Sequence, residues 1–110
     1  MKKFVIALAG VLALGMSVAH AAEKLRIGTE GAYAPFNNID QNGNAVGFDV
    51  DIAKALCAEM KVECEIIAPI EWDSILIGLN KKKYDAVVAS MSITEERLKA
   101  VNFTNPYYSN

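Results

Sequence analysis

Residues 49–67 read DVDIAKALCAEMKVECEII and change from a helical to an extended pattern within a short span. Apolar side chains recur on one helical face, at Val50, Ala53, Cys57 and Met60. Asp49 is a suitable N-cap, and the helix is predicted to end near Lys61. The β-branched and apolar residues 63–67 are typical of a strand, and Pro69 closes it. A helix that passes directly into a strand is the repeating unit of α/β folds with a parallel sheet.

Further strand and helix segments surround this stretch. Residues 25–29 alternate in polarity and predict a strand that opens the fold, whereas residues 86–89, Ala-Val-Val-Ala, predict a strand covered on both faces. Residues 74–80 predict a second helix, and residues 95–100 predict a third, with Thr94 as its N-cap. This alternation of strands and helices predicts right-handed crossovers and a largely parallel sheet, so the expected fold class is α/β.

The connecting segments are predicted from their turn residues. Residues 32–38 contain a proline and two Asn residues, which predict a loop. Asn42 and Gly43 lie in a tight turn that joins this segment to a short strand over residues 45–48, and together they form a hairpin. Residues 101–103 are predicted to form one more short strand.

The first 21 residues have the pattern of an export signal. A pair of lysines is followed by the apolar residues 4–14 and by the small-x-small cleavage pattern Ala-His-Ala at residues 19–21. A transmembrane anchor is the alternative, but the apolar run is shorter than the ~18 residues that a membrane span needs. We therefore predict a cleaved signal peptide over residues 1–21, a mature domain over residues 22–110, and export to a Gram-negative periplasm.

The net charge excludes two classes of partner. Without Lys2 and Lys3 of the leader, nine basic residues face 13 acidic ones, which gives a formal charge of −4. Nucleic acids and anionic membranes both select basic surfaces, so neither is an expected partner. Lys81, Lys82 and Lys83 form the only basic run, and a solvated helix end explains them better than a phosphate site does.

The two cysteines, Cys57 and Cys64, are predicted to form a structural disulfide. The periplasm is oxidising, and cysteines in exported chains favour disulfides. A metal site needs more ligands than the sequence offers, because the sole histidine, His20, leaves with the leader. No metal is therefore expected, and no cofactor is implied. Closing a ring of about eight residues contributes roughly 2.5 kcal/mol to the free energy of unfolding.

Polar and aromatic side chains follow the predicted parallel strands, at the carboxyl ends where ligands of open α/β sheets bind. The candidate binding residues are Glu30, Tyr33, Trp72, Ser90, Ser92 and Arg97. Arg97 can hold a carboxylate through two parallel hydrogen bonds, and the two serines can donate to the same group. Glu30 would meet a cation, and Tyr33 and Trp72 could enclose an alkyl chain or a cation. This combination predicts a site for a small zwitterion.

Each of these residues also has an ordinary structural interpretation. Arg97 alone could pair with Glu96 or Asp85 at the surface, where ion pairs contribute little. Glu30 alone could be a solvated loop carboxylate, and Trp72 alone could belong to the core. Their joint placement at strand ends is what favours a binding site.

Five motifs, in this order along the chain, resemble one known family. They are TEGAYAPF at residues 29–36, GFDVD at 47–51, WDS at 72–74, DAVVASMSITEER at 85–97 and FTNPYY at 103–108. Over nearly all of residues 23–110 the chain resembles family 3 extracytoplasmic solute-binding proteins, the amino-acid receptors of ABC importers. It is most similar to their lysine/arginine/ornithine- and histidine-binding branch, whose disulfide matches the two cysteines.

The resemblance implies one lobe of a periplasmic binding protein of type II, a two-lobed clamshell that closes on a free L-amino acid and presents it to an inner-membrane permease. Arg97, assisted by the two serines, would hold the α-carboxylate, while Tyr33 and Trp72 would enclose the ligand side chain. Glu30 would meet a distal cation, which favours a basic or polar amino acid. The family commonly has aspartate at the position of Glu30 and phenylalanine at that of Trp72, and these two differences bear on the length and selectivity of the pocket. It often has serine at the position of Ala89, so this chain has one hydroxyl fewer in the site.

The length of family members implies a second lobe that this sequence does not contain. We expect a monomeric N-terminal lobe that binds an amino acid weakly or not at all by itself, because closure of two lobes excludes water from the charged contacts. Two other functions use the same fold. One is a dehydratase with Glu30 as proton donor, and the other is a ligand-sensing domain fused to a transmembrane kinase or cyclase.

Overall fold

A parallel sheet of three strands forms the centre of the fold. The structure is a computed structural model that describes residues 23–109, so the predicted signal peptide lies outside the described residues. Strand β1 (Lys24–Gly28) lies between β5 (Glu63–Ile67) and β6 (Ala86–Val87), and both neighbours run parallel to it. The predicted parallel α/β sheet is confirmed, with the apolar run at residues 86–89 forming a shorter strand than expected.

Within residues 23–109, three helices connect and flank these strands. Helix α1 (Phe48–Met60) leads into β5, and α2 (Ile75–Asn80) follows a 3-10 turn at Trp72–Ser74. Helix α3 (Glu95–Leu98) is one turn long, and the Thr94 side chain caps it as predicted. Between residues 23 and 109 no helix combines the length and the hydropathy that crossing a membrane requires.

A small antiparallel sheet precedes α1. It contains β2 (Ala32–Tyr33), β3 (Asn37–Ile39) and β4 (Ala45–Val46), in that order. The Asp40 carboxylate accepts hydrogen bonds at 2.9 Å from the backbone N–H groups of both Asn42 and Asn44, which stabilises the turn of the hairpin. The predicted hairpin is confirmed. The predicted loop over residues 32–38 is wrong in part, because β2 and the start of β3 lie within it.

The core consists of two clusters of buried side chains. Ile27, Ala53 and Cys57 form the cluster between β1 and α1, whereas Ile75, Tyr84 and Ala89 form the second cluster. The disulfide between Cys57 and Cys64 is confirmed, with a Cα–Cα distance of 5.8 Å. It joins the last turn of α1 to β5, beside the left-handed C-cap at Lys61.

Two expectations about local structure are wrong. Asp49 is not the N-cap of α1, because the helix begins at Phe48 and its cap is Gly47. Gly47 has φ 123°, and a Cβ there would press on the Phe36 carbonyl oxygen, so only glycine fits. Residues 101–103 form no strand, because they pair with no strand of either sheet within the described residues.

Candidate functional site

The carboxyl ends of β1 and β5 bring two loops together. The Thr29 N–H donates to the Ile67 carbonyl at 3.1 Å, and the Ile70 N–H donates to the Glu30 carbonyl at 3.2 Å. The backbone of Glu30 is therefore fixed against the segment that leads to Trp72. Trp72 both packs against the second core cluster and lines the candidate site, so the core interpretation of this residue is also partly correct.

Arg97 enters the site from the beginning of α3. Its backbone N–H donates to the Thr94 hydroxyl at 3.1 Å, and its Nη1 donates to the Ser92 carbonyl at 2.8 Å. The guanidinium lies 5.7 Å from the centroid of the Trp72 ring, within the range of a cation–π contact. The Ser92 carbonyl and the Trp72 ring therefore orient the guanidinium at the cleft.

The surface ion pair considered for Arg97 does not form with Asp85. The carboxylate of Asp85 instead pairs with Arg26, whose Nη2 lies 3.1 Å from Oδ1. Arg26 lies on β1, and its backbone N–H also donates to the same carboxylate at 2.9 Å. The hydrogen bonds from Arg26 lower the pKa of Asp85 below its ordinary value. Asp85 therefore stabilises the edge of the sheet and takes no part in the cleft.

Ser90 follows β6 in a constrained conformation. Its φ is 55°, in the left-handed region that residues other than glycine rarely adopt. Its hydroxyl donates to the Asp49 carboxylate at 2.8 and 2.9 Å, and its backbone N–H donates to the Tyr107 hydroxyl at 3.3 Å. Asp49 and Tyr107 therefore hold Ser90 in this conformation at the edge of the cleft.

The structure brings all six candidate residues to one open cleft of about 360 Å³. Its walls are formed by Glu30, Tyr33, Trp72, Ser90, Ser92 and Arg97. One cation and one anion therefore face the same space, together with hydroxyl groups and two aromatic rings. This arrangement can bind a small molecule that carries opposite charges at its two ends. Which ligand these residues bind stays a prediction.

Sequence reasoning missed a buried polar network behind the cleft. Asp49 and Asn37 are fully buried, and the Asn37 Nδ2 donates to Asp49 Oδ2 at 2.8 Å. The Tyr107 hydroxyl donates to Asp49 Oδ1 at 2.6 Å. Burial and the hydrogen bond to Asp49 raise the pKa of Tyr107 above its ordinary value, so the phenol keeps its proton. The GFDVD motif at residues 47–51 is the available signal in the sequence, but an aspartate at the start of a helix fits an N-cap equally well.

The described residues offer no evident metal centre. No group of three or more His, Cys, Asp or Glu side chains comes together between residues 23 and 109 in a way that could hold a metal ion.

Comparisons with known proteins agree on one family. Residues 25–110 match the family model of the bacterial extracellular solute-binding proteins, family 3. The chain is 48% identical over 110 residues to the ABC transporter arginine-binding protein 1 of Escherichia coli K12, covering 100% of this chain and 44% of that protein. The chain thus spans less than half the length of this relative.

Two solved structures are similar in backbone as well as in sequence. An arginine-specific periplasmic binding protein of Salmonella typhimurium matches with a TM-score of 0.76 and 42% identity, over 79% of this chain and 38% of that chain. The arginine-bound form of domain 1 from TmArgBP matches with a TM-score of 0.73 and 41% identity, over 77% of this chain and 67% of that one. The second structure is of a single domain with arginine bound.

Proposed function

The chain belongs to the bacterial extracellular solute-binding proteins of family 3, and from this premise we propose that it supplies the first lobe of an ABC-importer receptor. The ligand of this receptor is a cationic L-amino acid, and arginine is the preferred one. The observation that carries the proposal is that Arg97 and Glu30 line one cleft although 66 residues lie between them in the sequence. A free amino acid with a basic side chain has an anionic end and a cationic end that these two residues complement.

Arg97 holds the α-carboxylate in this proposal. A guanidinium has five N–H donors in a planar fork, and the fork matches the two oxygens of a carboxylate. One donor, on Nη1, is already bonded to the Ser92 carbonyl, which fixes the orientation of the group. The guanidinium therefore meets the ligand preorganised, which reduces the entropy lost on binding.

Glu30 binds the cationic end of the ligand side chain. Its backbone is fixed by Ile70, and Glu30 lines the cleft together with Tyr33 and Trp72. Aromatic faces attract cations and also pack against the methylene groups that lead to them. A guanidinium donates two hydrogen bonds to one carboxylate, so arginine gains more from Glu30 than lysine does. The names of the E. coli and S. typhimurium relatives support the same choice.

The surrounding assembly is part of the same proposal, and membership of the family supports it. Residues 1–21 act as a cleaved signal peptide, and residues 22–110 form the N-terminal lobe in the periplasm. The receptor is a monomer that delivers its amino acid to an inner-membrane permease. A second lobe closes over the cleft in the complete receptor, and the exclusion of water strengthens the contacts of Arg97 and Glu30.

Binding without chemical change is the proposed activity. The named relatives are binding proteins, which supports a receptor over the dehydratase that the fold also allows. Incubation of the chain with prephenate or arogenate tests this point, and the account predicts that both compounds are recovered unchanged. Turnover that is lost in Glu30→Gln would establish the dehydratase instead.

Fluorescence of Trp72 tests the proposal directly, because it is the only tryptophan of the chain and lines the cleft. The sequence leaves open whether one lobe binds weakly or not at all, and the arginine-bound domain 1 from TmArgBP supports weak binding. We therefore expect saturable fluorescence changes with L-arginine, lower affinities for lysine and histidine, and the lowest affinity for glutamine. The dissociation constants of residues 1–110 should be weaker than micromolar, because this stretch spans 44% of the E. coli relative and the cleft is open to water. Equal affinities for all four amino acids would contradict the role of Glu30, because all four share the α-carboxylate that Arg97 would hold. Calorimetry provides an independent measurement.

A further inference from the structure

Residues 90–92 form a wall between two cavities. The cleft lies on one side of this wall. On the other side is a mainly apolar groove of about 460 Å³, bordered by β6 and by residues 101–109. Ser90 and Ser92 line both cavities. The position of residues 101–109 can therefore influence the cleft through the wall.

The Tyr107 hydroxyl contacts the wall at a defined point. It donates to the buried Asp49 carboxylate at 2.6 Å and accepts a hydrogen bond from the Ser90 N–H at 3.3 Å. Asp49 also accepts the Ser90 hydroxyl at 2.8 Å. Ser90 has the left-handed φ of 55°, a conformation that persists only where its surroundings determine it. Tyr107 and Asp49 supply these surroundings.

Ring packing holds Tyr107 and Tyr108 in place independently of this hydroxyl. The ring of Tyr108 stacks on Phe36 with centroids 5.6 Å apart and an interplanar angle of 3°. The ring of Phe48 lies 6.0 Å from that of Tyr107 and 5.6 Å from that of Tyr108. Removing one phenolic oxygen therefore leaves the aromatic packing intact and isolates the hydrogen bond.

We propose that Tyr107 is a positioning residue for the ligand cleft, and that its hydroxyl, together with Asp49, holds the Ser90–Ser92 wall in the conformation that receives the ligand carboxylate. This inference rests on the proposed function for its effect on binding. In this role, Tyr107 makes amino-acid affinity depend on how residues 101–109 pack against the wall. Tyr107 itself lies behind the wall and does not line the cleft.

Tyr107→Phe and Tyr108→Phe form a matched pair of variants, since each loses one hydroxyl and keeps its ring. Labelling with ¹⁵N-serine gives a simple spectrum, because the whole chain contains five serines. In Tyr107→Phe we expect the Ser90 amide signal to move and its hydrogen exchange to accelerate. L-arginine should bind about three- to tenfold more weakly, the loss expected for one hydrogen bond. Tyr108→Phe should change neither quantity.

The outcomes separate this inference from the proposed function. An unmoved Ser90 signal in Tyr107→Phe, or an equal change in Tyr108→Phe, would overturn the positioning role. An unchanged affinity for L-arginine with a moved Ser90 signal would also overturn it, because the contact would then be structural only. If the unmodified chain binds no L-arginine, the proposed function fails, and the Ser90 signal still decides whether Tyr107 holds the wall. Thermal unfolding of both variants controls for a loss of fold.

Discussion

The guanidinium of Arg97 lies 5.7 Å from the centroid of the Trp72 ring, on the wall of a cleft that Glu30 also lines. Trp72 lies in the connection before α2, whereas Arg97 lies in α3. Their contact means that the cation is oriented before any ligand arrives. A preorganised cation facing an acidic residue across one small cleft is the basis of the proposed amino-acid recognition.

Replacing Arg97 with lysine tests the two-pronged contact with a carboxylate. We expect Arg97→Lys to weaken L-arginine binding about tenfold or more, because a point charge cannot form two parallel hydrogen bonds of about 1.5–3 kcal/mol each. Titration monitored by Trp72 fluorescence measures the change. Arg26→Lys is the matched control, since Arg26 pairs with Asp85 away from the cleft. Equal affinities of Arg97→Lys and the unmodified chain would remove Arg97 from the site.

Replacing Glu30 with glutamine tests the selectivity for a cationic side chain. Glu30→Gln should weaken L-arginine and L-lysine binding about tenfold, and L-glutamine binding much less, because only the cationic ligands lose a charged partner. Calorimetry with the three amino acids gives the comparison. Glu71→Gln serves as the control, because Glu71 is exposed and does not line the cleft. The same loss for all three ligands would show that Glu30 does not contact the side chain.

The disulfide between Cys57 and Cys64 should stabilise the lobe by roughly 2.5 kcal/mol, as expected for a ring of about eight residues. Urea unfolding of the oxidised and the reduced chain measures this difference on one sequence. The double variant Cys57→Ser/Cys64→Ser should unfold like the reduced chain and should not respond to reductant. Coincident unfolding curves for the oxidised and reduced chains would show that the bond contributes nothing.

The ion pair of Arg26 with Asp85 predicts a specific loss of stability in acid. The hydrogen bonds from Arg26 lower the pKa of Asp85 below its ordinary value of 3.8. The ionised carboxylate therefore adds to the free energy of unfolding above that pH, and this contribution is lost as the pH falls through the lower pKa of the folded state. Thermal unfolding between about pH 5 and about pH 2 should therefore show a smaller acid-dependent decrease in Asp85→Asn than in the unmodified chain. Parallel decreases would contradict this role, and Asp73→Asn provides an exposed control.

The sequence predicted the parallel sheet and the placement of the cleft residues because both depend on local pattern. The residues of β1, β5 and α1 have clear polarity patterns, and the carboxyl ends of parallel strands meet at one edge of a sheet. Glu30, Trp72 and Ser90 each follow such a strand within the described residues. Their convergence on one cleft therefore follows from the parallel direction of the strands, which the alternation of strands and helices predicts.

The polar network behind the cleft could not be predicted in this way. An aspartate near a helix start has the same local signature as an N-cap and as a buried acceptor in the first turn. The partners of Asp49 are Asn37, Ser90 and Tyr107, which lie 12, 41 and 58 residues away. Only the tertiary structure brings them together. The strand expected at residues 101–103 failed for a similar reason, because a strand needs a neighbour that local sequence cannot supply.

Titration of the full chain with L-arginine, agmatine and L-citrulline measures the central claim most directly. Agmatine lacks the carboxylate that Arg97 would hold, and citrulline lacks the positive charge that Glu30 would meet. With Trp72 fluorescence as the signal, the account predicts saturable binding of L-arginine and at least about tenfold weaker binding of both analogues. Binding of either analogue as tightly as L-arginine, or no saturable binding of L-arginine, would contradict recognition by opposite charges in one cleft.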